Sequence, residues 1–404
     1  MRKAAAYLGV IFACLSITGC WDSIEINRLA IVVASGIDLA DPKDPHSLDL
    51  ASVQIARPSQ LQNGMSGSGG GATSNAYIVE RATGRTAVET LSKIQQTISR
   101  RFFLKDRRVI IIGESYARHG IADLLDEMVR NSASRLRSYI LVANHCPAWK
   151  LLNLDYPLDR LPSDAMLELE DSNRAVAINL IQFVSRLGGD SDPYASGIEE
   201  VDVGKKRHGA TFRLNSVAVF HKDALVGWLN REESKGFLYI YPNRNRIRDI
   251  GATVNIKGQP GYISTSVLHS FTTMKVTMKG DRPALFIEVT TVNDVVDNGT
   301  KFNMDDPATA LIVERELGKG VLRQVNAALY ALQKKYQSDA IGIADIVHEE
   351  YPKQWKAIRV QWRKVFSEMP TTVRVHAQLV RSGLTSNSVS SLDHALQGKR
   401  TVSP

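Results

Sequence analysis

The first twenty residues constrain this chain more than any other segment. Arg2 and Lys3 precede an apolar run from Ala4 to Leu15, which closes on Leu15-Ser16-Ile17-Thr18-Gly19-Cys20. An apolar run of about a dozen residues suits a secretory signal and falls short of the roughly 20 that a membrane span needs. Small Thr18 and Gly19 ahead of a cysteine predict cleavage before Cys20 by a lipoprotein signal peptidase. Cys20 then carries a thioether-linked diacylglycerol, and two acyl chains anchor a protein stably where one is marginal. The mature chain is expected to start at Cys20 and to fold outside a bacterial cytoplasmic membrane, with residues 1–19 removed.

That compartment permits disulfides, yet the sequence cannot use them. Of the three cysteines, Cys14 leaves with the leader and Cys20 is acylated, so Cys146 stands alone. Packing must supply the stability. With 44% hydrophobic and 23% charged residues, the chain can bury sizeable cores. About 385 residues after the leader predict two or three domains. The net charge is +8, or +6 once Arg2 and Lys3 are gone, an excess that suits an anionic membrane surface. No dense Lys/Arg run supports nucleic-acid binding. The sharpest basic cluster, Lys205-Lys206-Arg207-His208, reads as a solvated linker.

Strands and helices alternate through the first half. Residues 28–38, 48–56, 76–80, 108–113 and 138–143 read as strands, with Gly64–Gly71 as a hairpin connection. Helices are predicted over 84–99, capped by Thr83, after 113, from Trp149, and over about 170–186. The loop Gly188–Pro193 and the polar segment to 210 form a candidate domain boundary. Residues 211–220 and 224–229 read as a hairpin about His221-Lys222-Asp223.

Further on, 265–279 and 284–292 read as long strands. A helix follows over about 308–336, roughly 40 Å long, with Leu317, Val321, Val325, Ala328, Leu332 and Tyr336 as its apolar stripe. Short helices are predicted over 342–349 and 352–366, Pro352 opening the second, and a strand over 372–380. The fold class is α+β, multidomain, with mixed sheets and packed helices, the C-terminal part an antiparallel sheet under long helices. The expected division is a leader 1–19, an N-terminal α/β-type domain 20–200, a middle domain 211–264 with the β-hairpin, a C-terminal domain 265–383 and a tail 384–404.

Four constellations tempt a chemical reading. Gly113-Glu114-Ser115-Tyr116-Ala117 follows an apolar strand and precedes a helix, the setting of a nucleophile elbow, with Asp164 and His208 or His221 as partners. However, Ala117 stands where the motif needs glycine, and no oxyanion-loop signal lies upstream. Asp294, Asp297, Asn298, Asp305 and Asp306 do not match calcium-loop spacing and read as a solvated turn. Adjacent His145 and Cys146 would point to opposite faces of a strand, so a buried thiol is expected there. Trp355, Trp362 and Phe366 at helical spacing read as core. No catalytic, metal or cofactor-binding residue is predicted; the site residue is the lipidation position, Cys20.

Several stretches together resemble the Ger(x)C family of spore-germination lipoproteins. They are Gly19-Cys20-Trp21-Asp22 with Glu25-Ile26-Asn27 and Gly36-Ile37-Asp38, then Arg108 to Glu114 ahead of Ala117 and Gly120. Val217 to Phe220 with Leu225 to Leu229, Glu232-Glu233-Ser234 and Gly236 continue the series. Gly342, Asp345, Tyr351-Pro352, Trp355, Trp362, Phe366, Pro370, Val373-Arg374-Val375 and Gly383 complete it. The Gly/Ser-rich insert at 64–71 departs from the pattern where the family varies in length. The resemblance implies a three-domain α+β body without known enzymatic chemistry, on the outer face of the spore inner membrane. It implies two integral membrane partners, the A and B subunits of a nutrient germinant receptor. The competing expectation is an extracytoplasmic lipoprotein that binds a small nutrient or cell-wall fragment.

Overall fold

The computed structural model describes residues 25–44, 46–58, 76–131, 134–172, 175–204, 209–242, 251–256 and 261–381. Cys20, Gly64–Gly71, Lys205–His208 and the tail lie outside them.

A first sheet is organised around the predicted buried strands. In chain order they are β1 (Leu29–Leu39), β2 (Asp49–Ala56), β3 (Tyr77–Gly84), short β4 (Arg101–Phe103), β5 (Val109–Ile112), β6 (Tyr139–Asn144), β7 (Tyr194–Gly204), β8 (Gly209–His221) and β9 (Ala224–Leu229). They are arranged β3-β2-β1-β5-β6-β7-β8-β9, with β4 alongside the start of β1. The centre, β1-β5-β6-β7, is parallel, and the flanks are antiparallel. Parallel neighbours require crossovers, which the helices supply. These are α1 (Ala87–Thr97), α2 (Glu114–His119), α3 (Ala122–Arg130), α4 (Ala148–Leu151), α5 (Pro162–Asp171) and α6 (Leu180–Leu187). Covered on both faces, β5 is buried at all four residues, as its unbroken Val-Ile-Ile-Ile run predicts. The hairpin of 211–229 extends this same sheet.

Helix α7 (Arg231–Ile240) then leads to a second sheet, ordered β10 (Gly251–Val254), β11 (Ile263–Lys279), β12 (Arg282–Asn298) and β13 (Thr371–Arg381). Helix α8 (Pro307–Tyr330), capped by Asp306, runs on as a π-helical segment over Ala331–Tyr336. Then follow α9 (Ile343–Glu350), α10 (Pro352–Ile358) and α11 (Trp362–Glu368). This helical excursion carries the chain back along the sheet, so β13 pairs with β12 in parallel rather than antiparallel. Along β13, half-buried Val373, Val375, Ala377 and Leu379 alternate with exposed partners, as expected of a one-sided strand.

Three local expectations are corrected. Thr86, not Thr83, caps α1, accepting the Glu89 N–H at 3.1 Å while Glu89 returns to the Arg85 N–H. The helix expected over 170–186 is two helices, α5 and α6, parted at Ala177, whose φ of 45° is left-handed. The helix expected over 352–366 breaks at a 3-10 turn, Arg359–Gln361. One continuous hydrophobic core runs from Ile110 and Val142 through Phe220 and Phe237 to Val325, Trp362 and Phe366, joining the two sheets.

Candidate functional site at the junction of the two sheets

The junction is built on buried carboxylates. Asp339 follows the π-helical segment and is 2% exposed. It accepts the N–H groups of Gly342 and Ile343 at 3.0 Å and Ala344 at 2.6 Å, plus the Trp362 Nε1–H at 3.1 Å. Burial pushes its carboxyl up to about 6, against the opposing pull of those N–H donors. Asp192, from the loop before β7, accepts the Asp339 and Lys222 N–H groups, both at 2.9 Å, and faces His221 Nδ1 at 3.2 Å. Burial would raise Asp192, but His221 and the two N–H groups hold it below the usual carboxylate range.

Arg186 of α6 clamps the same place. Its guanidinium donates to the Asp192 carbonyl at 2.8 and 3.0 Å and to the Ala340 carbonyl at 2.9 Å, and lies 5.0 Å from the Tyr194 ring centre. The loop also reaches α9 through Ser191 to Asp345 at 2.5 Å and through Asp190 to His348 at 2.6 Å. The polar Gly188–Pro193 loop is therefore a structured joint that ties α6 and β7 to the C-terminal helices.

A second contact locks the edge of the first sheet. The Tyr336 hydroxyl donates to the Trp228 carbonyl at 2.6 Å and accepts the Trp228 N–H at 3.2 Å, satisfying the exposed edge of β9. Gly227 is needed there, because a Cβ would lie 2.1 Å from Tyr336 Cε1. The Trp228 indole donates to Glu114 at 3.1 Å, and Arg118 closes on the same carboxylate at 2.6 Å. Burial raises Glu114, but these donors outweigh it and leave the group below its ordinary value. Behind Glu114, Asp38 accepts the Ala148 and Trp149 N–H groups at 2.9 and 3.1 Å, capping α4. Burial brings Asp38 up to about 6. A Cβ on Gly113 would sit 2.2 Å from Asp38 Oδ1, which explains the glycine between strand and helix.

The hydrolase constellation does not assemble. Asp164 pairs with Arg108 at 2.6 Å, and His221 pairs with Asp192. The Ser115 carbonyl meets His119 Nδ1 at 2.7 Å. Ser115 has none of the left-handed strain of a nucleophile elbow; among the described residues the positive-φ non-glycine ones are His145, Ala177, Lys222 and Gln337. His208 lies outside the described residues. In the acidic stretch, Asp306 caps α8, while Asp294, Asp297 and Asn298 lie along β12. Trp355, Trp362 and Phe366 are buried, the two indoles 5.1 Å apart edge to face, as core residues. Cys146 is a free thiol, half-buried rather than fully enclosed, and burial raises its pKa.

Sequence reasoning missed the carboxylate joint. Asp192 and Asp339 stand 147 positions apart and neither belongs to a local motif. It also missed an open cavity of about 480 Å³ between Val176, Ser196, Asn215, Arg231 and Lys235.

Comparison with known proteins gives concordant matches. Residues 22–200 match a family described as "Spore germination protein N-terminal domain". Residues 215–383 match one described as "Spore germination B3/ GerAC like, C-terminal". The Bacillus subtilis (strain 168) protein YfkR is 28% identical over 386 residues, covering 94% of this chain and 97% of its own length. Spore germination protein KC of the same organism is 25% identical over 411 residues, covering 96% and 98%. The crystal structure of the GerBC protein superposes with a TM-score of 0.56 over 86% of this chain and 98% of that one, at 16% identity, a likeness of fold.

Proposed function

The chain belongs to the Ger(x)C family of spore germination proteins, and on that premise we propose that it is the lipid-anchored C subunit of a nutrient germinant receptor. The observation that carries this reading is the pair of family matches in order over 22–200 and 215–383, continuous with a lipobox ending at Cys20. The lipid holds the body on the outer face of the spore inner membrane, beside the integral A and B subunits, and its role is assembly or signalling rather than catalysis. The carboxylate joint supports a body that moves as one piece, since Arg186, Asp192 and Asp339 tie the sheets through buried hydrogen bonds. Cys20→Ala is the test. The variant should leave the membrane fraction of spores and lose nutrient germination; full membrane localisation and full germination would refute the anchor.

A second reading is favoured by the cavity at Ser196, Asn215 and Arg231, whose size suits a small ligand. On that reading the protein binds a nutrient or wall fragment. Titration calorimetry with amino acids, sugars and muropeptides decides: micromolar binding supports it, and flat isotherms remove it.

A further inference from the structure

We propose that the end of the first sheet where β1 begins is a docking surface for anionic lipid headgroups. Strands β4, β5 and β6 run parallel to β1; β4 starts level with Leu29, and β5 and β6 start level with Ala34, five residues further along, so the segments leading into all four approach the sheet from the same end. The segments that lead into them are 25–28, 100–106 and 135–138. They carry six exposed cations, Arg28, Arg100, Arg101, Lys105, Arg135 and Arg137, against two carboxylates, Glu25 and Asp106. Asp106 lies 3.6 Å from Arg135. The other five cations have no ion-pair partner among the described residues. Deeper in, Arg108 and Asp164 neutralise each other at 2.6 Å, and Asp171 accepts the Tyr139 hydroxyl, also at 2.6 Å. What reaches solvent from these segments is therefore a net positive face. Two apolar side chains stand among the cations, Ile26 at 67% and Leu136 at 37% exposure. Cations around a few projecting aliphatic residues form the pattern that settles on an anionic bilayer: headgroups attract the charge, and the aliphatic tips enter the boundary.

Chain length supports the same orientation. Five peptide steps separate Cys20 from Glu25, a reach of at most about 18 Å even when fully extended. An acyl chain on Cys20 thus keeps this end of the sheet close to the membrane. The orientation, but not the charge of the face, rests on the reading of Cys20 as the lipidated residue. Lipid and basic face then act as two signals, the second fixing which way the body stands on the first.

The test uses the chain from residue 20 onward with Cys20→Ser, so that no lipid contributes. It is mixed with vesicles of phosphatidylcholine alone and with vesicles containing phosphatidylglycerol, at low and high salt, and sedimented. Preferential sedimentation with the anionic vesicles, abolished by high salt, is expected. The combined variant Arg100→Glu/Arg101→Glu/Arg137→Glu should bind them at least roughly a hundredfold less, with an unchanged circular dichroism melt. Equal sedimentation with both vesicle types, or a folded triple variant that binds as well as its parent, would overturn the proposal. A parent chain that ignores vesicles while the triple variant loses protein crosslinks in spores would also overturn it, assigning the face to an acidic protein. The mass of the mature N-terminal peptide tests lipidation separately, so the two ideas fail independently.

Discussion

Glu170 shows at the scale of one residue how placement sets electrostatics. It sits at the end of α5, fully buried, and accepts the Ala177 N–H at 3.0 Å, while its Oε1 has no partner among the described residues. Burial raises its carboxyl to about 8. Asp339 is as deeply buried but rises only to about 6, because three main-chain N–H groups and an indole face it. Depth does not separate the two; the groups facing each carboxylate do, Ser196 and the Ala177 N–H for Glu170 against more N–H donors and the Arg186 charge for Asp339. For stability the sign is fixed. Between the ordinary value of 4.5 and about 8, folded Glu170 holds a proton that the unfolded chain has released. Stability therefore falls as pH rises through that window and the penalty is complete above it. Glu170→Gln removes the titration. The parent should lose on the order of 2 kcal/mol or more between pH 5 and pH 8 that the variant keeps. Calorimetric melts at both pH values check this, and parallel melting shifts in the two proteins would contradict it.

At the scale of elements, α7 lies against α8 with Gly236 at the crossing. A Cβ there would stand 1.9 Å from the Gln324 carbonyl oxygen, a backbone atom that cannot rotate away. Gly236→Ala gains about 1 kcal/mol of helix propensity, whereas forcing packed helices apart costs about 1–3 kcal/mol. The clash should win, lowering the midpoint of urea unfolding; an unchanged or raised midpoint would show that the helices can slide. The capping box of α7, Asn230 with Glu233, explains why the acidic pair Glu232-Glu233 follows β9 so closely.

Most strands and α8 were legible because apolar periodicity acts locally. The break between α5 and α6 was missed, although Pro162 at the first turn of one helix and the Asn179/Gln182 capping box of the other mark it. The apolar periodicity across the break obscured it. The parallel entry of β13 could not be read locally, since pattern gives a strand its face but not its neighbour. The joint of Asp192, Asp339 and Arg186 was beyond local reading for the same reason: its partners meet only after both sheets have formed.

On the scale of the whole molecule, the two family-matched halves share one core, and polar contacts at the loop before β7 and at the β9 edge close the seam. No described helix is long and apolar enough to cross a membrane. On the proposed reading the body acts on a receptor through its surface and its lipid attachment, which makes its neighbours in the spore the decisive observable. In-spore crosslinking of the mature protein, followed by mass spectrometry of the adducts, measures both at once. Adducts with two integral inner-membrane proteins, lost when Cys20 is replaced by alanine, are the predicted result. A chain that crosslinks to no membrane protein, or that keeps the same adducts without Cys20, would contradict the account.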